Sequence, residues 1–206
     1  MKPVKSNTTY LAENPIIAIL LIAILLRVVI FILYRHVTIY PDSEGYIELA
    51  KRLMDFDLKG YEGQRSPGYP LLLAIANPSI TLTLILQSAI GIINLYVVYR
   101  LCILLNISKT RSAILTTAIG LYIPAIFFEF AILTETLTLL FVSLLFYLTA
   151  KILKNDKQQK KRYFSLALVV AFLVLIKPFY IFAAPLIFIL LYWYNKRTTN
   201  LLQILI

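Results

Sequence analysis

The sequence predicts an all-α fold, a polytopic bundle of about six transmembrane helices with an amphipathic interfacial helix in the first external loop. Three observations carry that prediction. Hydrophobic residues make up 60% of the 206-residue chain and mean hydropathy is +0.83, outside the range of soluble domains. Apolar runs recur that approach the roughly twenty residues a helix needs to cross ~30 Å of hydrocarbon. Lys and Arg gather in alternate loops, as they do where loops stay cytoplasmic.

Taken in order, the first element is Pro15–Tyr34. The basic residues before it resemble the start of a signal peptide, but the apolar stretch is too long for a signal core and no small-residue cleavage site follows. It reads as a retained span, with Pro15 in a first turn where its missing N–H loses nothing. Arg27 lies inside this span, where a cation costs about 1–3 kcal/mol unless it snorkels or faces protein. Facing protein is the expectation.

The next stretch is YPDSEGYIELAKRL. After Pro41 a helix can start, with Asp42 or Ser43 as its N-cap. Tyr46, Leu49, Ala50, Leu53 and Met54 recur at helical spacing, while Glu48, Lys51, Arg52 and Asp55 take the other face. This pattern predicts a helix lying on the outer membrane surface, with Glu48 and Arg52 spaced for an i, i+4 pair. GQRSPGYPLLLA follows, stiffened by Pro67 and Pro70 and free to turn at Gly63 and Gly68. The run 69–76, closed by Asn77 and Pro78, is too short to span and reads as a dipping segment.

Five further spans are predicted at Ile80–Leu104, 112–128, 136–151, 163–176 and 180–194, the last two divided by Lys177 and Pro178. Cys102, the sole cysteine, sits in an apolar run and reads as packing, which leaves no disulfide or thiolate cluster. His36 stands alone and reads as interfacial filler.

The formal charge of +10 would suggest nucleic acid in a soluble chain. Here the basic residues are topology signals, and nucleic acid is excluded as a partner. With the N-terminus inside, the inner loops collect Lys2, Lys5, Arg100, Lys109, Arg111, the run KILKNDKQQKKR and the pair Lys196 and Arg197, 13 of 20 Lys and Arg. The acids sort the other way, with 8 of 10 external: Asp42, Glu44, Glu48, Asp55, Asp57, Glu62, Glu129 and Glu135. The positive-inside rule concerns Lys and Arg, so the acidic asymmetry points to a site on the outer face. The sequons at Asn7 and Asn106 fall inside and read as chance. The run 151–162 reads as a solvated loop that anchors topology, with attraction to anionic lipid as a secondary role.

The outer-face residues resemble a family. A first span, then Asp42-Ser43-Glu44, an amphipathic helix, the element Arg65-Ser66-Pro67-Gly68-Tyr69-Pro70, Thr134-Glu135 at the head of a later span and Lys177 before Pro178 is similar to the membrane-embedded C-type glycosyltransferases. The nearest branch is the protein mannosyltransferase-like group that includes aminoarabinose transferases. The resemblance covers nearly the whole chain through the order and sidedness of its motifs. It implies one glycosyltransferase-like domain over 1–206, corresponding to the N-terminal part of a longer family fold with further spans.

The activity implied is transfer of a sugar from a polyprenyl phosphate carrier to a protein, lipid or polysaccharide acceptor outside the cytoplasm of a cell inner or plasma membrane. By position, Asp42 matches the catalytic acid, Glu44 the second member of its motif, Arg65 and Tyr69 the substrate-binding R-x-P-G-Y element, Glu135 the acid heading a span and Lys177 the basic residue before Pro. Such a reaction needs a base for the acceptor hydroxyl and cations for developing phosphate charge. Asp42 is assigned the first task, Arg65 and Lys177 the second. A divalent Mg or Mn ion at Asp42 and Glu44 fits the preference of hard cations for carboxylate.

Each of these residues also has a structural reading. Asp42 can cap its helix, Glu44 can be solvated surface, Arg65 and Lys177 can anchor at the interface, and Glu135 suits a helix N-terminus. The rival function is a non-catalytic membrane protein, either a partner subunit or a lipid or solute transporter. A transporter places charge and broken helices near mid-membrane.

Overall fold

The computed structural model describes residues 14–34, 36–77, 79–154 and 159–195. The sequon at Asn7 and the basic residues Lys2, Lys5, Lys157, Lys196 and Arg197 lie outside them, as does Pro78. The described chain is helical: α1 (Pro15–Tyr34), α2 (Pro41–Met54), α3 (Gly68–Ile75), α4 (Ile80–Leu104), α5 (Lys109–Gly120), α6 (Ile123–Glu129), α7 (Glu135–Leu153), α8 (Gln159–Ile176), a 3-10 turn (Pro178–Phe182) and α9 (Ala183–Asn195).

Three helices, α1, α4 and α7, are long and apolar enough to cross a membrane. α5 and α6 make a fourth candidate if taken as one span, bent by 58° where they meet. Gly120 ends α5 and Pro124 opens α6, which accounts for the break. α8 draws Lys160, Lys161 and Arg162 into its first turns, so its apolar part falls short of a full crossing length. α9 is 13 residues long and is reached through the 3-10 turn at Pro178. Both are helical where spans were predicted, and neither by itself is long and apolar enough to count among the crossing helices.

Burial follows from which faces meet. α4 packs on α7, α7 on α8, and α3 on both α2 and α8. α1 leaves Leu21, Ile22, Leu25 and Leu33 exposed, as a helix facing lipid should. In lipid, apolar surface gives helices no reason to associate, so packing and polar contacts must hold the bundle. One cluster, Ala50, Tyr69, Leu73, Ile132, Leu137 and Ile176, joins α2, α3, α7 and α8. A second joins α7, α8 and α9 around Leu145, Leu173 and Leu191.

A buried ion pair ties α1 to the end of α6. Arg27 donates through Nε to Glu129 Oε2 at 2.7 Å and through Nη2 to Glu129 Oε1 at 2.5 Å, with a further bond to the Ala23 carbonyl. Arg27 therefore faces protein, as its position required. Glu129, expected among the external acids, is instead buried in the bundle. The reason is Arg27, which offers it a two-pronged partner.

α2 starts two or three residues earlier than the sequence suggests. Tyr40 is its N-cap and Pro41 its first residue, so neither Asp42 nor Ser43 caps the helix. The fixed φ of Pro41 suits that first position. Ser43 accepts from the Tyr40 N–H at 2.9 Å and donates to the Ile132 carbonyl at 2.9 Å. This docks the start of α2 on the turn between α6 and α7. The linker before α2 is held to the same turn by an isolated parallel bridge, Thr38 to Ala131. Leu49 and Ala50 are buried, and Arg52 pairs with Glu48 as predicted. The apolar face of α2 thus packs against protein, chiefly α3.

Candidate functional site

Four of the six predicted site residues line one cavity of about 450 Å³: Asp42, Arg65, Glu135 and Lys177. Each arrives on a different element. Asp42 sits in the first turn of α2, which the Ser43 bonds hold in place. With Tyr40 as cap, the Asp42 carboxylate is left to face the cavity. Arg65 lies in the loop before α3, pinned by Tyr61, whose hydroxyl donates to the Arg65 carbonyl at 2.7 Å and accepts from the Arg65 N–H at 2.6 Å. Glu135 opens α7, where the helix dipole favours an anion. Lys177 follows α8 at the break made by Pro178.

The four form two ion pairs. Arg65 Nη2 meets Asp42 Oδ1 at 2.7 Å, and Lys177 Nζ meets Glu135 Oε1 at 3.0 Å. Tyr46 lines the same cavity, and its ring carries the Arg65 guanidinium 5.3 Å from its centroid. Burial pushes the Tyr46 hydroxyl pKa up, against the opposing pull of Arg65. Glu135 Oε2 is buried without a hydrogen-bond partner. A carboxylate held by one oxygen retains lone pairs for a further donor.

Tyr69 is placed differently. It is fully buried, and its hydroxyl donates to Gln87 Oε1 at 2.7 Å. Its ring meets Tyr46 edge-on with centroids 5.3 Å apart. Tyr69 thus stands behind the wall that Tyr46 presents. Glu44 is exposed and outside the cavity lining. Two residues apart on a helix, Asp42 and Glu44 point roughly 200° apart, so they do not converge on one metal ion.

Sequence reasoning passed over Tyr46 as part of an apolar stripe, and over Tyr61 and Gln87. Gln87 carried a signal, being a polar residue within an apolar run. Its Nε2 donates to the Glu129 carbonyl at 2.8 Å and the Ala131 carbonyl at 2.9 Å while its Oε1 accepts from Tyr69. It therefore couples the turn that leads to Glu135 with the helix that follows Arg65.

Gly68 decides how closely the two halves of the cavity approach. It was expected to provide a turn, but the positive φ lies at Gly63 (77°), not at Gly68. A methyl group at Gly68 would meet the Leu175 and Ile176 backbone at 2.6–2.7 Å. Backbone cannot swing aside as a side chain can. Gly68→Ala is expected to cost about 1–3 kcal/mol by overpacking and to move Lys177 away from Arg65. Thermal unfolding in detergent measures the first effect, and a wild-type melting temperature would show that α3 and α8 are not packed this closely.

The arrangement can bind an anion between two cations and leave a carboxylate beside it. No family model matches the chain, and neither a curated protein nor a solved structure is found that is similar to it.

Proposed function

We propose that the chain is a glycosyltransferase that moves a sugar from a polyprenyl phosphate carrier to an acceptor on the external side of a cell membrane. One observation carries the reading: Asp42, Arg65, Glu135 and Lys177, drawn from four separate elements, line one cavity. In this reading Arg65 and Lys177 hold the carrier phosphate, and Asp42 takes the proton of the acceptor hydroxyl as its oxygen attacks the sugar carbon. The bond from that carbon to the phosphate oxygen breaks, and the two cations stabilise the charge left on the phosphate. The ion pairs keep each cation in place before the donor arrives.

The topology that goes with this reading has the N-terminus cytoplasmic and the cavity external. α8 and the 3-10 turn with α9 then complete about six crossings, and α2 lies along the outer surface with its charged face to water.

The test is sugar transfer from a panel of labelled polyprenyl phosphate sugars, in membranes holding either the wild-type chain or Asp42→Asn at matched expression. Transfer by the wild type that falls by about 10²–10⁴ in the variant is the expected result. Equal transfer by both would remove Asp42 from the chemistry, and none by either stably inserted chain would remove the reading.

A second reading, a solute transporter, is favoured by the buried Arg27–Glu129 pair at the end of the bent α5–α6 unit. Uptake into vesicles without sugar transfer would select it.

A further inference from the structure

The end of the bundle remote from the candidate site carries a second cluster. α4 and α7 pack against each other, and two cations lie near their C-terminal ends. Arg100 donates through Nη1 to the Tyr96 hydroxyl at 2.7 Å, with its guanidinium 5.7 Å from the centroid of that ring. Lys151 places Nζ 5.4 Å from the centroid of the Tyr147 ring. Just beyond them the two helix ends are tied together by Lys154, whose Nζ donates to Asn106 Oδ1 at 2.8 Å. Two cations and two phenols therefore gather at one end of the packed helix pair.

Among the described residues, no acid is paired with this cluster. Between Arg65 and Glu129, and again after Glu135, every described charged residue is Lys or Arg. The helix C-termini contribute partial negative charge, but a dipole end worth about half a charge does not balance two full cations. A snorkelling Arg or Lys would normally extend into water. Here both are associated with tyrosine rings on the bundle face.

We propose that Tyr96, Arg100, Tyr147 and Lys151 bind the phosphodiester headgroup of an anionic glycerophospholipid. The guanidinium fork and the ammonium take the phosphate oxygens. The Tyr96 hydroxyl accepts from Arg100 and so keeps its own proton to donate to the same phosphate. Tyrosine rings favour the level where glycerol meets the acyl chains, which suits them to such a headgroup. A zwitterionic lipid would bring its own ammonium towards two cations, which selects an anionic one. The bound lipid would clamp the ends of α4 and α7 together, at the pole opposite the candidate site.

Native mass spectrometry of the purified full chain with dioleoyl phosphatidylglycerol or dioleoyl phosphatidylcholine tests this. The wild type is expected to retain phosphatidylglycerol selectively, and Arg100→Gln or Lys151→Gln to weaken that retention by roughly tenfold or more. Lys109→Gln, which removes an equal charge outside the cluster, is expected to weaken it by less than about fivefold. Equal losses from all three variants would overturn the proposal in favour of diffuse attraction to a charged surface. Displacement of the lipid by millimolar inorganic phosphate would overturn it in favour of a free-phosphate site. Arg100→Lys keeps the charge and serves as the folding control: retention at the Arg100→Gln level by this variant, with a wild-type melting temperature, supports recognition by the guanidinium fork.

Discussion

Replacing Glu129 by alanine is expected to destabilise the protein by about 3–5 kcal/mol, the largest loss of any single substitution considered. Arg27 is buried, and Glu129 is its carboxylate partner through two bonds of 2.7 and 2.5 Å. Without that partner a guanidinium remains inside the bundle with one bond, to the Ala23 carbonyl. The surroundings leave little room to adapt. Gly91 faces the carboxylate so closely that no side chain would fit there. The loss reflects the stranded charge more than the worth of the pair, so the double variant Arg27→Met with Glu129→Leu should recover most of it. Equilibrium unfolding in mixed micelles measures both. A single variant within about 1 kcal/mol of the wild type would mean that water already reaches Arg27.

Arg65→Gln is expected to lower kcat/KM for sugar transfer by about 10²–10³, the effect of removing one electrostatic donor from a developing charge. Stability should change by less than about 1 kcal/mol, because the Arg65–Asp42 pair is partly exposed. The loop should keep its shape, since Tyr61 holds it through the Arg65 backbone and not its side chain. Arg65→Lys restores charge but not the planar fork, and is expected to recover only part of the rate. Steady-state kinetics with one polyprenyl phosphate sugar check this. Full activity in Arg65→Gln would leave Arg65 as an anchor for Tyr46 and Asp42 alone.

The helices were legible because the information that makes them is local. α1 and α4 have the predicted ends because the apolar runs themselves set them, with Pro15 in the first turn of α1 and Ser79 capping α4 next to its run. The bend in α5–α6 was less legible: Gly120 and Pro124 mark it, yet the run 112–128 is apolar enough to read as one span. The runs 163–176 and 180–194 are helical as expected, but their ends were less legible: the helix of the first begins earlier, at Gln159, and Pro178 opens a 3-10 turn ahead of α9.

Within the candidate site, the residue types were legible and their pairing was not. Asp42 and Arg65 are 23 residues apart, Glu135 and Lys177 42 apart, Arg27 and Glu129 102 apart. Nothing in a local pattern chooses between Arg27 and Arg65 as the partner of a given acid. Tyr69 shows the same limit from the other side. Its motif context suggests a substrate contact, but Gln87, oriented by two carbonyls from another turn, draws its hydroxyl into the core.

The sequence alone determined that this is an all-helical chain with spans apolar enough for a membrane. Hydropathy and helical period are properties of neighbouring residues and survive without a fold. Tertiary structure alone decided which charges meet, that Glu129 is buried while Glu44 is exposed, and that Gly68 serves close packing and not a turn. Those outcomes depend on which helix faces pack together. That is settled by contacts between residues far apart in the chain.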